Sequence, residues 1–245
     1  MNCKNCGHPV DGNFCTHCGQ KSSVTRVSLS SFLDEISTSV FQINRGFFFT
    51  LIQLSLRPGK VLKEYLDGRR KRYFKPIAYL LILSTLYLLS AQATNQNTLI
   101  GDLFTGWFNR ESELNSNAEL PEFASWLLAH YPYLALIMIP VFSLASFVAF
   151  YKFDKNYLEH LLINSYITGH QAIIYSLFVV LGTITDSDLM VILSLSVAVL
   201  YNFWVFIQLF SEGHVVMNIM RVITAYFIYA IISAALMIVL LTINK

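Results

Sequence analysis

Long apolar segments with few charged residues are the feature that most restricts how this 245-residue chain can fold. A helix needs roughly 17 residues to cross the hydrocarbon layer. Five segments exceed that length: residues 74–92, 126–150, 158–182, 189–210 and 222–243. Charged residues make up 13% of the chain and the mean hydropathy is +0.52, whereas a soluble domain carries about 25% charged residues. The composition excludes a disordered chain and disfavours an ordinary soluble nucleic-acid-binding enzyme. It predicts an all-α, polytopic membrane helix bundle.

The charges outside these segments are sorted by sign. Residues 1–75 contain 12 Lys or Arg but five Asp or Glu, whereas residues 93–124 contain one Arg and five acidic residues. Basic segments of membrane proteins stay in the cytoplasm. The remaining connections, 151–157, 183–188 and 211–221, continue the alternation of basic and acidic loops. The pattern predicts five spans in residues 74–245, a cytoplasmic N-terminus and a C-terminus outside. The start of the chain lacks an apolar run, so we expect no signal peptide.

All four cysteines lie in the first 18 residues, as two CxxC pairs: Cys3, Cys6, Cys15 and Cys18. Four thiolates around one ion form a closed structural zinc site. Glycines follow each pair, Gly7 and Gly19, and allow the positive φ that a knuckle requires. Two disulfides or an iron–sulfur centre are the alternatives, but a cytoplasmic location argues against disulfides. The spacing therefore predicts a structural Zn²⁺ ion in a ribbon over residues 1–20, without His8 or His17 as ligands.

A ribbon of this kind binds nucleic acid, a protein or nothing. Its own basic residues are few, so we expect no nucleic-acid partner. A cytoplasmic protein partner bound through the ribbon is the interpretation we favour.

Residues 21–73 are predicted to form cytoplasmic and interfacial amphipathic helices. After a linker over 21–30, one helix face is marked by apolar residues at helical spacing, from Leu29 through Val40. Residues 47–56 are apolar but reach only about 15 Å as a helix, too short to span. Two interpretations stay open for them: an interfacial or re-entrant helix, or a helix packed into the cytoplasmic end of the bundle. Pro58 and Gly68 are expected to begin and end a further helix.

A basic tetrad precedes the first predicted span: Arg69, Arg70, Lys71 and Arg72. Basic residues beside an aromatic belt mark the cytoplasmic edge of a span. The same four side chains are candidates for contact with anionic lipid headgroups, at about 1 kcal/mol per charge. Membrane lipids are therefore expected partners.

The third predicted span is unusually polar, and its polar residues form a candidate intramembrane site: Glu159, His160, Asn164, Thr168, His170 and Gln171. Four of them stack along one helix face at steps of four, four and three residues. Glu159 and His170 lie about 16 Å apart along the helix and cannot share one ion. Interhelical hydrogen bonding and a functional cavity are the two interpretations. Glu212 and His214 are expected at the membrane level of Glu159 and His160.

The chain resembles an uncharacterised family of bacterial membrane proteins described only as a domain of unknown function. Four motifs carry the resemblance: NFCxxCG over 13–19, RPGKV over 57–61, EYLxGxRKRY over 64–73 and YxEH over 157–160. The resemblance implies a bacterial inner-membrane location, a zinc ribbon and a multi-span architecture. A looser fold-level likeness to Yip-type five-span proteins carries no chemistry.

No catalytic motif of the HExxH, GxSxG, Walker or Rossmann type occurs. We therefore expect a non-enzymatic membrane scaffold that recruits a partner. A transporter or channel that uses the polar third span is the first alternative. A membrane enzyme acting on lipid through Glu159, His160 and His170 is the second.

Overall fold

A computed structural model describes residues 1–24, 26–29, 45–96, 131–187 and 189–243. These residues contain seven helices and no strand. The helices are α1 (Arg45–Leu56), α2 (Pro58–Leu66), α3 (Pro76–Ala93), α4 (Tyr131–Ala149), α5 (Tyr157–Thr185), α6 (Leu189–Leu209) and α7 (Val215–Ile243). Two isolated antiparallel bridges, Asn2 with Pro9 and Phe14 with Lys21, shape the cysteine module. The all-helical prediction is confirmed for the described part of the chain.

Four of the helices are long and apolar enough to cross a membrane: α3, α5, α6 and α7. The chain is therefore an integral membrane protein by length and composition of its helices. The second predicted span, 126–150, begins outside the described residues. Its described part forms α4, in which a shorter apolar stretch, Leu136–Ala149, is found. The count of five spans stays a prediction.

Helix α7 begins earlier than its sequence pattern indicates. The helix starts at Val215, so the second half of the predicted connection over 211–221 is helical. Arg221 lies within the helix, where its guanidinium stacks over the ring of Phe153 at 5.0 Å and donates to Asn218 Oδ1 at 2.8 Å. These contacts satisfy the charge near the helix end, so Arg221 does not mark a loop.

Helix α5 is the centre of the bundle and packs against α3, α4 and α6. Its side chains are buried almost continuously from Glu159 to His170. Asn156 caps the helix: Glu159 N donates to Asn156 Oδ1 at 2.8 Å, and Asn156 N donates to a Glu159 carboxylate oxygen at 2.7 Å. This reciprocal pair is a capping box. It fixes where the longest buried helix starts.

Two glycines let helices approach closely. A Cβ at Gly169 would lie 3.0 Å from Leu80 Cα, so α5 and α3 pack there with no room for a side chain. A Cβ at Gly59 would lie 2.6 Å from the carbonyl carbon of Gln208, which brings α2 against α6. Both glycines are needed for this packing rather than for a special φ.

Helix α1 has two different faces. One face packs on the bundle through Phe47 and Leu54, which are buried. The opposite face exposes Phe48, Ile52 and Leu56, spaced four residues apart. The interfacial interpretation of this exposed apolar stripe stays a prediction. The amphipathic helix predicted beyond Leu29 lies outside the described residues.

Candidate metal centre and polar clusters of the bundle

The four cysteines converge on one point. Their sulfur atoms lie within 4.8 Å of one another, and the Sγ distances from Cys3 to Cys18 and from Cys6 to Cys15 are both 3.6 Å. Sulfurs about 2.3 Å from a tetrahedral zinc ion are separated by about 3.8 Å. A disulfide would require about 2.05 Å. The arrangement therefore fits a tetrathiolate metal site and does not fit paired disulfides.

The two CxxC pairs have the same backbone geometry. Cys3 N donates to His8 O at 2.9 Å and Cys15 N donates to Gln20 O at 2.8 Å. The N–H groups of Gly7 and Gly19 donate back to the carbonyls of Cys3 and Cys15. Both glycines have positive φ, +80° and +71°, as the knuckle interpretation predicts. Each half of the module thus presents two sulfurs in the same way.

The thiols of the module influence one another. The backbone N–H of Cys6 lowers the pKa of the Cys3 thiol, whereas, against the backbone N–H of His8, burial and the neighbouring cysteines raise the pKa of the Cys6 thiol. A thiolate is the form that binds metal. His8 and His17 stack on each other with ring centroids 3.9 Å apart, and both are exposed. Their ring nitrogens also come within reach of Cys6, but the four sulfurs already complete a tetrahedron.

A buried side chain fastens the cysteine module to the segment before the first span. Gln20, only 5% exposed, donates from Nε2 to Gly68 O at 2.9 Å, and its Oε1 accepts from Lys71 N at 3.2 Å. Lys4 Nζ donates to Val24 O at 2.9 Å on the same side of the module. Because Gln20 directly follows Gly19 of the second knuckle, these two hydrogen bonds connect the cysteine cluster to the basic turn over 68–71.

A second attachment joins the N-terminal segment to the bundle. Arg26 donates to both carboxylate oxygens of Glu159, with its shortest contact at 2.9 Å, and to the Asp154 side chain at 3.2 Å. Asn156 Nδ2 donates to Val27 O at 3.1 Å beside it. The hydrogen bonds to Glu159, and then those to Asp154, raise the pKa of Arg26 above its already high value. Glu159 is therefore a helix-capping and docking residue.

Two members of the basic tetrad lie beside one carboxylate. Arg69 and Arg72 lie 3.5 and 3.8 Å from Glu64, which also accepts from the Tyr73 hydroxyl at 2.6 Å. Burial and the nearby carboxylate raise the pKa of Tyr73, so the phenol stays a donor. Lys60 lies 3.9 Å from the same carboxylate. Three half-exposed cations share one negative charge, so the cluster keeps a positive excess.

The polar residues of α5 separate into two groups on different faces. His160 and Asn164 face α4: Ser146 Oγ lies 3.0 Å from His160 Nδ1, and Asn164 Nδ2 donates to Ser146 Oγ at 3.0 Å. The ring of His160 is fully buried against Phe147 and Phe210. His160 Nε2 has no hydrogen-bond partner in the described part of the chain. This cluster joins α5 to α4.

His170 belongs to the other group, which faces α1, α3 and α6. Its Nδ1 lies 2.9 Å from the Tyr79 hydroxyl and its Nε2 lies 3.2 Å from Ser55 Oγ. The imidazole stacks on Tyr201 at 4.8 Å, and the Tyr201 hydroxyl donates to Leu54 O at 3.2 Å. His170 thus joins three membrane helices and the short helix α1.

Thr168 and Gln171 line a cavity of about 260 Å³ together with Asn164. Gln171 Nε2 donates to Ala198 O of α6 at 2.9 Å. Glu212 and His214 are exposed, whereas Glu159 and His160 are buried, so these four residues do not form one site. Among the described residues, the groups with metal-ligand geometry all include cysteines of the module.

Sequence reasoning missed the residues that connect distant segments. Gln20, Arg26 and Ser55 each act through a partner that no local pattern indicates. Of these residues, only Gln20 could have been found from the sequence. It directly follows the second CxxCG motif, so its side chain lies close to the candidate metal site.

Comparison with known proteins identifies one stretch of the chain. The sequence model of a family described as "Protein of unknown function (DUF3667)" matches residues 44–88. The match covers α1, α2, the basic tetrad and most of α3. No curated protein and no solved structure matches the chain. The match supports the expected similarity to an uncharacterised family and falls on the segment that the cysteine module and His170 both contact.

Proposed function

We propose that this protein is a non-enzymatic scaffold of the bacterial inner membrane, in which a zinc-loaded cytoplasmic ribbon orders a basic surface for partner recruitment. The Gln20 bridge is the observation that supports it most directly. One amide side chain connects the knuckle at Cys18 to both Gly68 and Lys71, so loss of the metal releases the turn that carries the tetrad.

The surface has two parts with different partners. Arg69, Arg72 and Lys60 surround one carboxylate and keep an excess of positive charge, which suits anionic lipid headgroups. The free face of the ribbon carries Phe14, an aromatic side chain that is 56% exposed on a module too small to bury it. Exposed aromatic residues are enriched in protein interfaces, so we assign the protein partner to this face and expect no nucleic acid.

The rate of tryptic cleavage tests whether the metal stabilises the basic turn. We expect one zinc per chain in the purified protein and less than a tenth of that after Cys15→Ser with Cys18→Ser. Chelation and Gln20→Leu should each accelerate cleavage after residues 69–71 about tenfold, because the turn opens locally. Gln20→Leu should retain its zinc. Lys21→Ala, an exposed position of the same knuckle, is the control and should cleave like wild type. Slow cleavage in the zinc-free protein would contradict the proposal.

Recruitment is tested by a photocrosslinking residue at position 14 in cells. We expect an adduct of one defined mass in the wild-type background, and its loss in the double cysteine variant with membrane insertion intact, since the spans satisfy their own backbone groups. The same crosslinker at position 152, on an exposed loop of the bundle, is the control. Substrate flux in proteoliposomes would favour the transporter instead, and loss of a lipid species on deletion would favour the enzyme.

A further inference from the structure

The cavity inside the bundle is separate from the cysteine module and the basic turn. Helices α4, α5, α6 and α7 all contribute to its wall. Its amide and hydroxyl side chains are Asn164, Thr168, Gln171, Asn202, Tyr175, Tyr226 and Tyr229, and its apolar residues include Phe142 and Ile167. No charged side chain of the described residues lines it. A volume of about 260 Å³ has room for roughly eight groups of the size of a water molecule.

Two buried acceptors in this wall lack a protein partner among the described residues. Asn164 and Gln171 use their amide N–H groups on protein partners, Ser143 and Ser146 for the first and Ala198 O for the second. Asn164 Oδ1 and Asn202 Oδ1 are buried and have no hydrogen-bond partner in the described part of the chain. A buried acceptor without a partner costs about 1–3 kcal/mol. The cavity therefore favours a molecule that brings donors.

Part of the cavity wall lies at the side of the bundle. Leu195 of α6, in its wall, is 42% exposed, and Tyr226 and Tyr229 of α7 are half-buried. This part of the wall lies on helices that have the length and composition of membrane spans. A ligand entering between α6 and α7 would come from the lipid phase, and an ion would arrive unpaired at a wall without charges.

We propose that this cavity binds an uncharged, hydroxyl-bearing amphiphile from the bilayer. Its hydroxyl groups donate to Asn202 Oδ1 and Asn164 Oδ1, and its first methylene groups lie along Phe142, Ile167 and Leu195. Tyr226 and Tyr229 flank the entrance on the α7 side. The proposal does not depend on the proposed scaffold role.

Photolabelling of the full chain in nanodiscs tests the site. The probes are a ten-carbon alcohol with a diazirine and the matching alkane without the hydroxyl. We expect saturable labelling of α4–α7 peptides by the alcohol, competed by unlabelled decanol and at least tenfold stronger than labelling by the alkane. Asn202→Leu should lower labelling about tenfold without lowering the unfolding temperature. Ser196→Ala, an exposed α6 position that bonds only to its own helix, is the control.

A second variant tests the cavity independently, in case Asn202→Leu does not fold. Val199→Phe fills the cavity and leaves every polar group in place, so it should abolish labelling as well. Equal labelling by alcohol and alkane, or labelling that decanol does not compete, would show ordinary lipid contact and overturn the proposal. Unchanged labelling in both Asn202→Leu and Val199→Phe would overturn it too, leaving water as the occupant.

Discussion

At the scale of single residues, the carboxylate of Glu159 has two structural roles. The Glu159 carboxylate caps the first turn of α5 and also receives the guanidinium of Arg26. Its side chain is only 4% exposed, whereas that of Asp154, the other partner of Arg26, is 98% exposed. A buried carboxylate needs its partner far more than an exposed one does.

Arg26→Ala should therefore destabilise the protein by about 1–3 kcal/mol, because it leaves a buried carboxylate without its cation. In a chain of this length that corresponds to a drop of roughly 3–10 °C in the thermal midpoint. The thermal midpoint of Arg26→Lys should lie between those of the wild type and Arg26→Ala. A single ammonium group cannot bond both oxygens of the Glu159 carboxylate and Asp154 at the same time.

Asp154→Asn is the matched control and should shift stability by less than about 0.5 kcal/mol. The measurement is a thermal unfolding scan of detergent-solubilised full-length protein. Equal losses in Arg26→Ala and Asp154→Asn would mean that the contact to Glu159 contributes nothing.

These residues also show what a sequence reveals at this scale. The convergence of the four cysteines was predictable because two CxxC pairs in local turns have the spacing of a tetrathiolate site. Glu159 was predicted as an intramembrane polar residue, but its role comes from Arg26, which lies 133 positions away in sequence. The cavity residues Asn164, Thr168 and Gln171 were predicted from helical spacing alone. The helices that face these residues, and the contribution of Asn202, could be identified only from the folded structure.

At the scale of helices, the residues that begin and end a helix were easier to predict from the sequence than the contacts between helices. Pro58 begins α2 and Gly68 follows its end, as expected. The close crossing of α2 with α6 could not be predicted from the sequence, because a glycine inside an amphipathic helix does not indicate which residue packs against it. The same holds for α1, whose short apolar sequence fits a packed helix and a lipid-facing helix equally well.

Gly59→Ala should destabilise the protein by about 1–3 kcal/mol, because the added methyl group meets the backbone of Gln208 and forces α2 away from α6. The N–H of Gly59 also donates to Gln208 Oε1 at 3.1 Å, and the shift would lengthen this bond. Gly12→Ala is the control, because nothing lies within 4 Å of its added Cβ. A thermal scan compares the two, and an unperturbed Gly59→Ala protein would show that the crossing is looser than described.

At the scale of the whole molecule, the apolar segments and the loop charges predicted the class of protein but not the contacts of its N-terminal third. The sequence indicated a linker over 21–30 and left the packing of residues 47–56 open. The described N-terminal residues bond to the basic turn and to the first turn of α5. Helix α1 bonds to α5 and α6. Such contacts depend on which helices become neighbours, which a periodic pattern does not encode.

The predicted topology of five spans is tested with reporter fusions. A C-terminal alkaline phosphatase should be active and a C-terminal GFP dark, because the loop charges place that end outside. Alkaline phosphatase inserted after Asp186 should also be active, whereas insertion after Ser211 should give an inactive enzyme. A fluorescent C-terminal fusion would mean that residues 47–56 cross the membrane or that residues 126–150 do not.

The long sequence distances of these contacts have a consequence for biosynthesis. Ser55 meets His170, Leu54 meets Tyr201 and Gly59 meets Gln208, and the last pair is 149 residues apart. At about 5–20 residues per second, a ribosome needs roughly 7–30 s to make the second partner after the first. During that interval α1 can pack only on earlier neighbours such as Phe74 and Tyr79. The N-terminal third therefore reaches its final packing only after α5 and α6 have been synthesised.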